Sequence, residues 1–302
     1  VSKAEYDESK DKYVIKDVIG PDEYTEHIDN NTYTNYMAKY TVMKTIQYLD
    51  ELKLTNKNLY DELNERLKIG AEYDSFENFI EKIYIPSSDE NGIIPQDDTF
   101  LSKKIIDIKK YLNSNLKQSI LRDYTRDEVV DMQVLKQSDL VMLFYLLKDE
   151  FSKEIIEKNW HYYESKTIHD SSLSMAIHAI VALDFEDAEK AYRCFQKACL
   201  IDLGSNPHSS DDGIHSAALG AVWLSVIKGF GGVKERNGEL YINPKLPDEW
   251  ENLEFPLRFR NKDLSVNITK EKIKINSIND EKLEIYVNDK KYNMEKYLEI
   301  LL

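Results

Sequence analysis

The period of the apolar residues changes once along the chain, and that change fixes the fold class. Before Gly229-Phe230-Gly231-Gly232 apolar residues recur every three or four positions, and after it they alternate. The first spacing lays a stripe along a helix, and the second lays one face on a strand. Asp29 or Asn30 is placed to cap a helix whose stripe runs Tyr33, Tyr36, Met37, Tyr40, Met43, Ile46 and Leu49. A second helical pattern runs from about Asn58 to Ile83, through Leu59, Leu63, Leu67, Phe76 and Phe79. Between Asp127 and Lys148 a helix would be apolar on almost every side, which predicts burial on most of them. Further helices are expected over 153–163, 172–183, 186–200 and 213–228, joined by short polar loops that favour antiparallel hairpins. Tyr84 to Phe100 holds Pro86, Asn91-Gly92 and Pro95 and reads as a long ordered loop. Beyond Gly232 five alternating segments, from Leu240-Tyr241-Ile242 to Leu283-Glu284-Ile285-Tyr286-Val287, read as half-buried antiparallel strands. Asn288-Asp289 is a hairpin turn. The expectation is a helical portion over 1–235 and a small antiparallel β domain over 236–302.

Composition narrows the function classes. A net charge of −15 argues against binding to a phosphate backbone, so any anion must be held by a local pocket. Cys194 and Cys199 stand five apart on an expected helix, on roughly opposite faces, so a disulfide between them is not expected. Two unpaired cysteines point to a reducing, cytoplasmic setting. No apolar run approaches the ~20 residues that span a bilayer, and no signal-like apolar segment opens the chain. The chain begins with Val1, and its richest motif follows a short polar stretch, as expected where upstream sequence is missing.

Four polar stretches carry candidate chemistry. Val18 to Asn31 packs Asp22, Glu23, Glu26, His27 and Asp29 ahead of a helix, and a carboxylic acid desolvated by aromatic neighbours there suits a general acid. The plainer reading is a capping loop with surface carboxylates. Lys136-Gln137-Ser138-Asp139 interrupts the most apolar helix, so that Lys136 and Gln137 present an ammonium and an amide to sugar hydroxyls, or Lys136 simply pairs with Asp139. Thr167 to Ser174 places Ser171, Ser172 and His169 at a helix start, an anion seat or an ordinary cap. Asp211-Asp212-Gly213-Ile214-His215-Ser216 leads small residues and a histidine into another helix, and a lone histidine is more often structural than catalytic. No metal-ligand spacing, P-loop or dinucleotide fingerprint is present.

Taken together, these stretches resemble the disaccharide phosphorylases of glycoside hydrolase family 65 (the maltose, kojibiose and trehalose phosphorylases). Val18 to Asn35 resembles the family's general-acid segment and Lys136-Gln137 its sugar-holding pair. Tyr162 to Ser174 and Gly213 to Ala218 resemble its two phosphate-side segments. Ile242-Asn243-Pro244-Lys245-Leu246-Pro247 with Trp250 resembles the start of its C-terminal β domain. The resemblance implies the second half of an (α/α)6 barrel followed by that β domain, without the sandwich and early barrel helices of the whole enzymes. It implies Glu23 as general acid and Lys136 and Gln137 as sugar ligands. It also implies Ser171, Ser172 and His215 as the seat of inorganic phosphate, a co-substrate, with no metal or other cofactor. Phosphate would attack the anomeric carbon with inversion, giving β-glucose 1-phosphate and a free sugar from a maltose- or kojibiose-like disaccharide.

Two other readings stay open. One is hydrolysis of an α-glucoside, with Asp211 or Asp212 as base; the other is a non-catalytic carbohydrate-binding fragment. The acceptor sugar is expected to be selected by the Tyr84–Phe100 loop, with Gln96, Asp97 and Asp98, and by Asp123 to Glu128. Half a barrel exposes apolar faces, so self-association or packing with a separate N-terminal half is expected. Neither nucleic acid nor a membrane is expected as partner.

Overall fold

The computed structural model describes residues 1–112, 118–203, 213–279 and 282–302. It is mainly helical up to Phe230 and β-rich beyond it. Contacts divide the described residues into two compact units, one ending at His169 and the other beginning at Asp170.

The first unit opens with a hairpin, β1 (Glu5–Asp7) and β2 (Lys12–Val14), and then α1 (Thr32–Thr55). The cap of α1 is Asn31, whose side chain accepts from the Thr34 N–H at 2.9 Å, one residue beyond the expected Asn30. Of the 24 residues of α1 only Thr32 and Asn35 are buried, so its apolar stripe is at best half covered. The pattern expected to run unbroken to Ile83 is two helices, α2 (Lys57–Leu67) and α3 (Ile69–Lys82). Lys68 between them adopts a left-handed backbone, φ 55°, and the Asn64 side chain takes the Gly70 N–H at 2.7 Å. The loop after α3 is ordered by α7 (Lys153–Glu164), where Asn159 bonds both Gly92 and Ile94 and the Tyr163 hydroxyl donates to the Ile94 carbonyl at 2.6 Å.

One expectation is overturned here. No single helix runs from Asp127 to Lys148; after the short α4 (Lys109–Leu112) come α5 (Arg126–Val130) and α6 (Leu140–Leu146), with a non-helical segment between. The reason lies in backbone groups bonded at long range. The Gln133 N–H reaches the Lys104 carbonyl, the Leu135 N–H that of Lys166, and the Ile168 N–H that of Leu135, at 2.8 to 2.9 Å. Such bonds satisfy the segment as a strand would and leave it no helical ladder. Its apolar residues still enter the core, where Val129, Met132 and Val134 pack with Tyr24, Ile108, Tyr111, Ile120 and Ile168.

In the second unit α8 (Ser174–Asp184) is buried on nearly every side and packs on α9 (Ala188–Cys199) and on α10 (Ser216–Leu224). The end of α10 widens into one π-helical segment over Ser225–Phe230. Cys194 and Cys199 are both free, as expected. Gly232, φ 65°, then lets the chain turn against Asn243, whose carbonyl a side chain at that position would overlap. The strands are β3 (Val233–Arg236), β4 (Glu239–Ile242), β5 (Asn252–Phe259), β6 (Lys262–Thr269) and β7 (Lys272–Ser277), then β8 (Leu283–Val287), β9 (Lys290–Met294) and β10 (Tyr297–Leu301). They form two four-stranded sheets, ordered β10-β7-β6-β5 and β3-β4-β8-β9. Every pair is antiparallel except β4 with β8. That exception needs a long crossover, which β5 to β7 supply. The turn at Asn288-Asp289 is as expected, with φ 47° and 60°, the twist that joins tight hairpins. Phe230 and Trp250 pack with tilted rings, 4.9 Å between ring centres, close to Phe195 of α9. No helix among the described residues is long and apolar enough to cross a membrane.

Candidate active site

Residues 18–31 form a loop pinned at its base. Val18 and Ile28 exchange backbone bonds of 2.9 and 3.0 Å, and the Asn30 N–H reaches the Ile15 carbonyl at 2.8 Å. Gly20 passes so close to residues below it that an added Cβ would stand 2.6 Å from Oδ2 of Asp139 and closer still to Asn31. Only glycine fits there.

Asp22 organises the loop from inside. Its carboxylate is fully buried and accepts the Tyr24 N–H at 3.2 Å, the Thr25 hydroxyl at 3.0 Å, Nε2 of Gln96 at 3.1 Å and the Lys136 N–H at 2.8 Å. Burial pushes its pKa above the ordinary value while these four donors pull it back. The Lys136 bond ties the acid loop to the segment between α5 and α6. Below it lies Asp139, also fully buried, which accepts Nδ2 of Asn31 at 3.0 Å. Its pKa is pushed well up, first by burial and then by the charge of Asp22. The alternative Lys136–Asp139 pair is thereby excluded, since the two side chains have other partners.

With Asp22 turned in, Glu23 turns out. Its side chain is 53% exposed, and Oε2 lies 2.6 Å from Nζ of Lys136. Gln137 donates from Nε2 to the Pro21 carbonyl. Glu23, Lys136 and Gln137 therefore meet, though Lys136 and Gln137 stand on a loop and not inside a helix. The aromatic cover expected for Glu23 is not supplied by its neighbour, because the Tyr24 ring is buried in the core. Geometry also separates Glu23 from Glu26, which faces Arg126 at 3.5 Å instead. A cavity of about 450 Å³ opens on that side, lined by Glu26, His27, Arg126, Asp127 and the apolar Leu121 and Val130 among others. Two residues expected to select the acceptor are internal braces. Gln96 bonds Asp22, and the buried Asp97 holds Lys103 at 3.4 Å and the Thr99 hydroxyl at 2.7 Å. Asp98 is exposed and accepts from Asn30.

The expected phosphate ligands lie in the second unit. Half-buried Ser171 and Ser172 precede α8, and Oγ of Ser171 takes the Leu173 N–H at 3.2 Å. His215 immediately precedes α10, which packs on α8. Asp202 grips it twice, at the main-chain N–H (2.9 Å) and at Nδ1 (2.6 Å). Asp211 and Asp212, the alternative bases, lie outside the described residues.

Three carboxylates have structural roles that the sequence did not assign them: Asp22 and Asp139, read there as one of a surface cluster and as a partner of Lys136, and Asp202. Asp22 had a readable signal, since donors two and three residues on are the mark of an aspartate closing its own turn. Asp139 and Asp202 had none, because their partners are remote in sequence.

Two family models cover nearly the whole chain: the glycosyl hydrolase family 65 central catalytic domain over residues 1–224 and the C-terminal domain of the same family over 233–294. The chain is 43% identical to kojibiose phosphorylase of Halothermothrix orenii, over 93% of this chain and 36% of that protein. It is 45% identical to kojibiose phosphorylase of Escherichia coli, over 88% of this chain and 33% of that protein. A solved structure described as a candidate kojibiose phosphorylase from the human microbiome matches all of this chain and 41% of its own, at a TM-score of 0.88 and 30% identity. The chain thus spans about a third of the length of the curated relatives it matches. Its helical part and its β-rich part each answer to a domain of one family, and the chain belongs to glycoside hydrolase family 65.

Proposed function

We propose that this chain supplies the acid and phosphate sides of an inverting α-glucoside phosphorylase, with residues 1–235 as part of its (α/α)6 catalytic barrel and 236–302 as its β domain. The observation that carries the reading is the Glu23–Lys136 pair at 2.6 Å, on two loops joined through buried Asp22. Kojibiose phosphorylases among the relatives favour a kojibiose-like substrate. Inorganic phosphate is the co-substrate, and no cofactor is required.

The chemistry follows from the groups. In the resting pair Nζ of Lys136 lies against Oε2 of Glu23. A glucosyl unit whose hydroxyls accept from Lys136 and Gln137 draws the ammonium away and leaves the Glu23 carboxyl free to face the glycosidic oxygen. Glu23 then gives a proton to the glycosidic oxygen as the bond to the anomeric carbon breaks. A phosphate oxygen, seated by Ser171, Ser172 and His215, forms the new bond from the opposite face. The products are β-glucose 1-phosphate and the free sugar. An inverting hydrolase needs a second carboxylate to activate water; here the phosphate is the nucleophile, and hydroxyls with an imidazole suit it better. Acceptor contacts come from Asp123 to Glu128, beside the cavity. Exposed Leu219 and Trp223 on α10 support association with an N-terminal half or a second copy. The free cysteines fit a cytoplasmic setting.

The test is turnover of kojibiose with and without inorganic phosphate, using this chain alone and joined to the upstream portion its relatives carry. Glu23→Gln in the joined protein is expected to lower kcat by about 10²- to 10⁴-fold with an unchanged melting temperature. A near-normal rate in that variant removes Glu23 as the acid, and turnover without phosphate turns the reading to hydrolysis.

A further inference from the structure

One carboxylate controls both the main chain and the ring of His215. Asp202 lies three residues beyond the end of α9, with its side chain almost covered. Its Oδ2 accepts the His215 N–H at 2.9 Å, and its Oδ1 stands 2.6 Å from Nδ1. Two contacts from one rigid group leave the imidazole little rotational freedom. A carboxylate only accepts, so Nδ1 must carry the ring's proton and Nε2 is the nitrogen left for a ligand. The bond from His215 also holds the Asp202 carboxyl below its usual range, which keeps it an acceptor. The main-chain N–H of His215 is used up in the same grip. At the start of α10 an anion is therefore offered the ring and not that amide.

We propose that Asp202 is a positioning residue, which fixes His215 with its proton on Nδ1 and presents Nε2 to an oxygen of inorganic phosphate. The proposal rests on the reading of His215 as part of a phosphate seat. The Nε2–phosphate contact then holds one proton in either of two equivalent forms. A dianion accepts from Nε2–H of a cationic ring, or a monoanion donates its own P–O–H to Nε2 of a neutral ring. Asp202 supports both, since it accepts from Nδ1–H in each.

The decisive readout is the tautomer of His215, measured from its side-chain ¹⁵N shifts in this chain and assigned with His215→Ala. The wild type is expected to rest as the Nδ1–H form. In Asp202→Asn the amide oxygen keeps the main-chain N–H, so its NH₂ faces Nδ1 and the ring reverses to Nε2–H. Reversal with an unchanged fold is a signature that a merely structural role would not produce. In the joined protein Asp202→Ala is expected to raise the KM for phosphate about tenfold or more, with kcat changed less than about threefold. An Nε2–H ring in the wild type, or an Nδ1–H ring that persists in Asp202→Asn, overturns the proposal. So does an unchanged phosphate KM in an enzyme whose turnover needs phosphate. Tautomer reversal in a protein that turns over without phosphate keeps Asp202 as the residue that positions His215, and sinks the phosphorolysis reading instead.

Discussion

The acid loop and the phosphate-side helix starts are built on opposite plans. Asp22 gathers donors from residues 24, 25, 96 and 136, and Asn31 and Asp139 close the layer beneath it. Ser171, by contrast, holds a local turn, through its side chain to Leu173 and its carbonyl to Ser174, and His215 is gripped by one carboxylate. The difference matches what the proposed roles would ask of each side. A proton donor has to sit within a fraction of an ångström of one oxygen, which requires a frame tied at long range. A phosphate is a mobile tetrahedral anion that can settle among rotatable hydroxyls beside one fixed ring, so local bonds are enough.

The harshest test of this contrast is to remove the hub. Asp22→Ala leaves four donors without their acceptor inside the protein. At about 1 kcal/mol or more for each buried group left unmet, the loss of stability is expected to exceed about 3 kcal/mol by urea denaturation. Whatever folds should also have lost about 10²-fold in kcat through displacement of Glu23. Asp22→Asn should be much milder. Its oxygen can keep the Tyr24 and Lys136 N–H groups, its NH₂ can donate to Thr25, and Gln96 can rotate to offer Oε1, which has no partner in the native site. If Asp22→Ala proves as mild as a serine truncation at the other side, the long-range frame is not what holds the acid.

The sequence showed the outline of this arrangement more clearly than its cause. The switch of period at Gly229 to Gly232 located the β-rich part, and Asn288-Asp289 announced its hairpin, because both signals are local. The loop of Glu23 was visible as a cluster of carboxylates, but nothing in it told the buried Asp22 from the exposed Glu23. That distinction depends on Gln96 and on the Lys136 N–H, 74 and 114 residues away. The same blindness turned the segment before α6 into a helix. Val129, Val130, Leu135 and Leu140 are spaced for one, yet between them Gln133 and Leu135 bond the remote carbonyls of Lys104 and Lys166. Apolar spacing reports burial, and only the hydrogen bonds report which ladder the backbone joins.

A smaller effect, of opposite sign, is expected one layer down. Asp139 is buried with Oδ1 unpartnered, and its pKa in the folded protein lies above the ordinary 3.8. A carboxyl raised on folding stabilises fully below its unfolded pKa, and that contribution is lost as pH rises toward the folded value. Asp139→Asn keeps an acceptor for Asn31 and removes the ionisable group. The variant should therefore match the wild type below about pH 4 and gain on it as pH rises toward neutrality. Denaturation midpoints of the two proteins, compared across that range, check the sign and where it sets in. A variant that is weaker at every pH would mean that the acid frame needs the charge of Asp139 and not only its shape.

The smallest effect should come from the phosphate side. Ser171→Ala removes one acceptor from a half-buried turn, and the freed Leu173 N–H is near enough to the surface to find water. The stability change is expected to stay within about 0.5 kcal/mol. Activity should respond in the opposite proportion, with the phosphate KM rising several-fold while kcat at saturating phosphate holds. A site frozen like the acid loop would show the reverse, a large loss of stability and a fall in kcat together. The ratio of the two effects, taken against Asp22→Ala, therefore measures how differently the two sides are held.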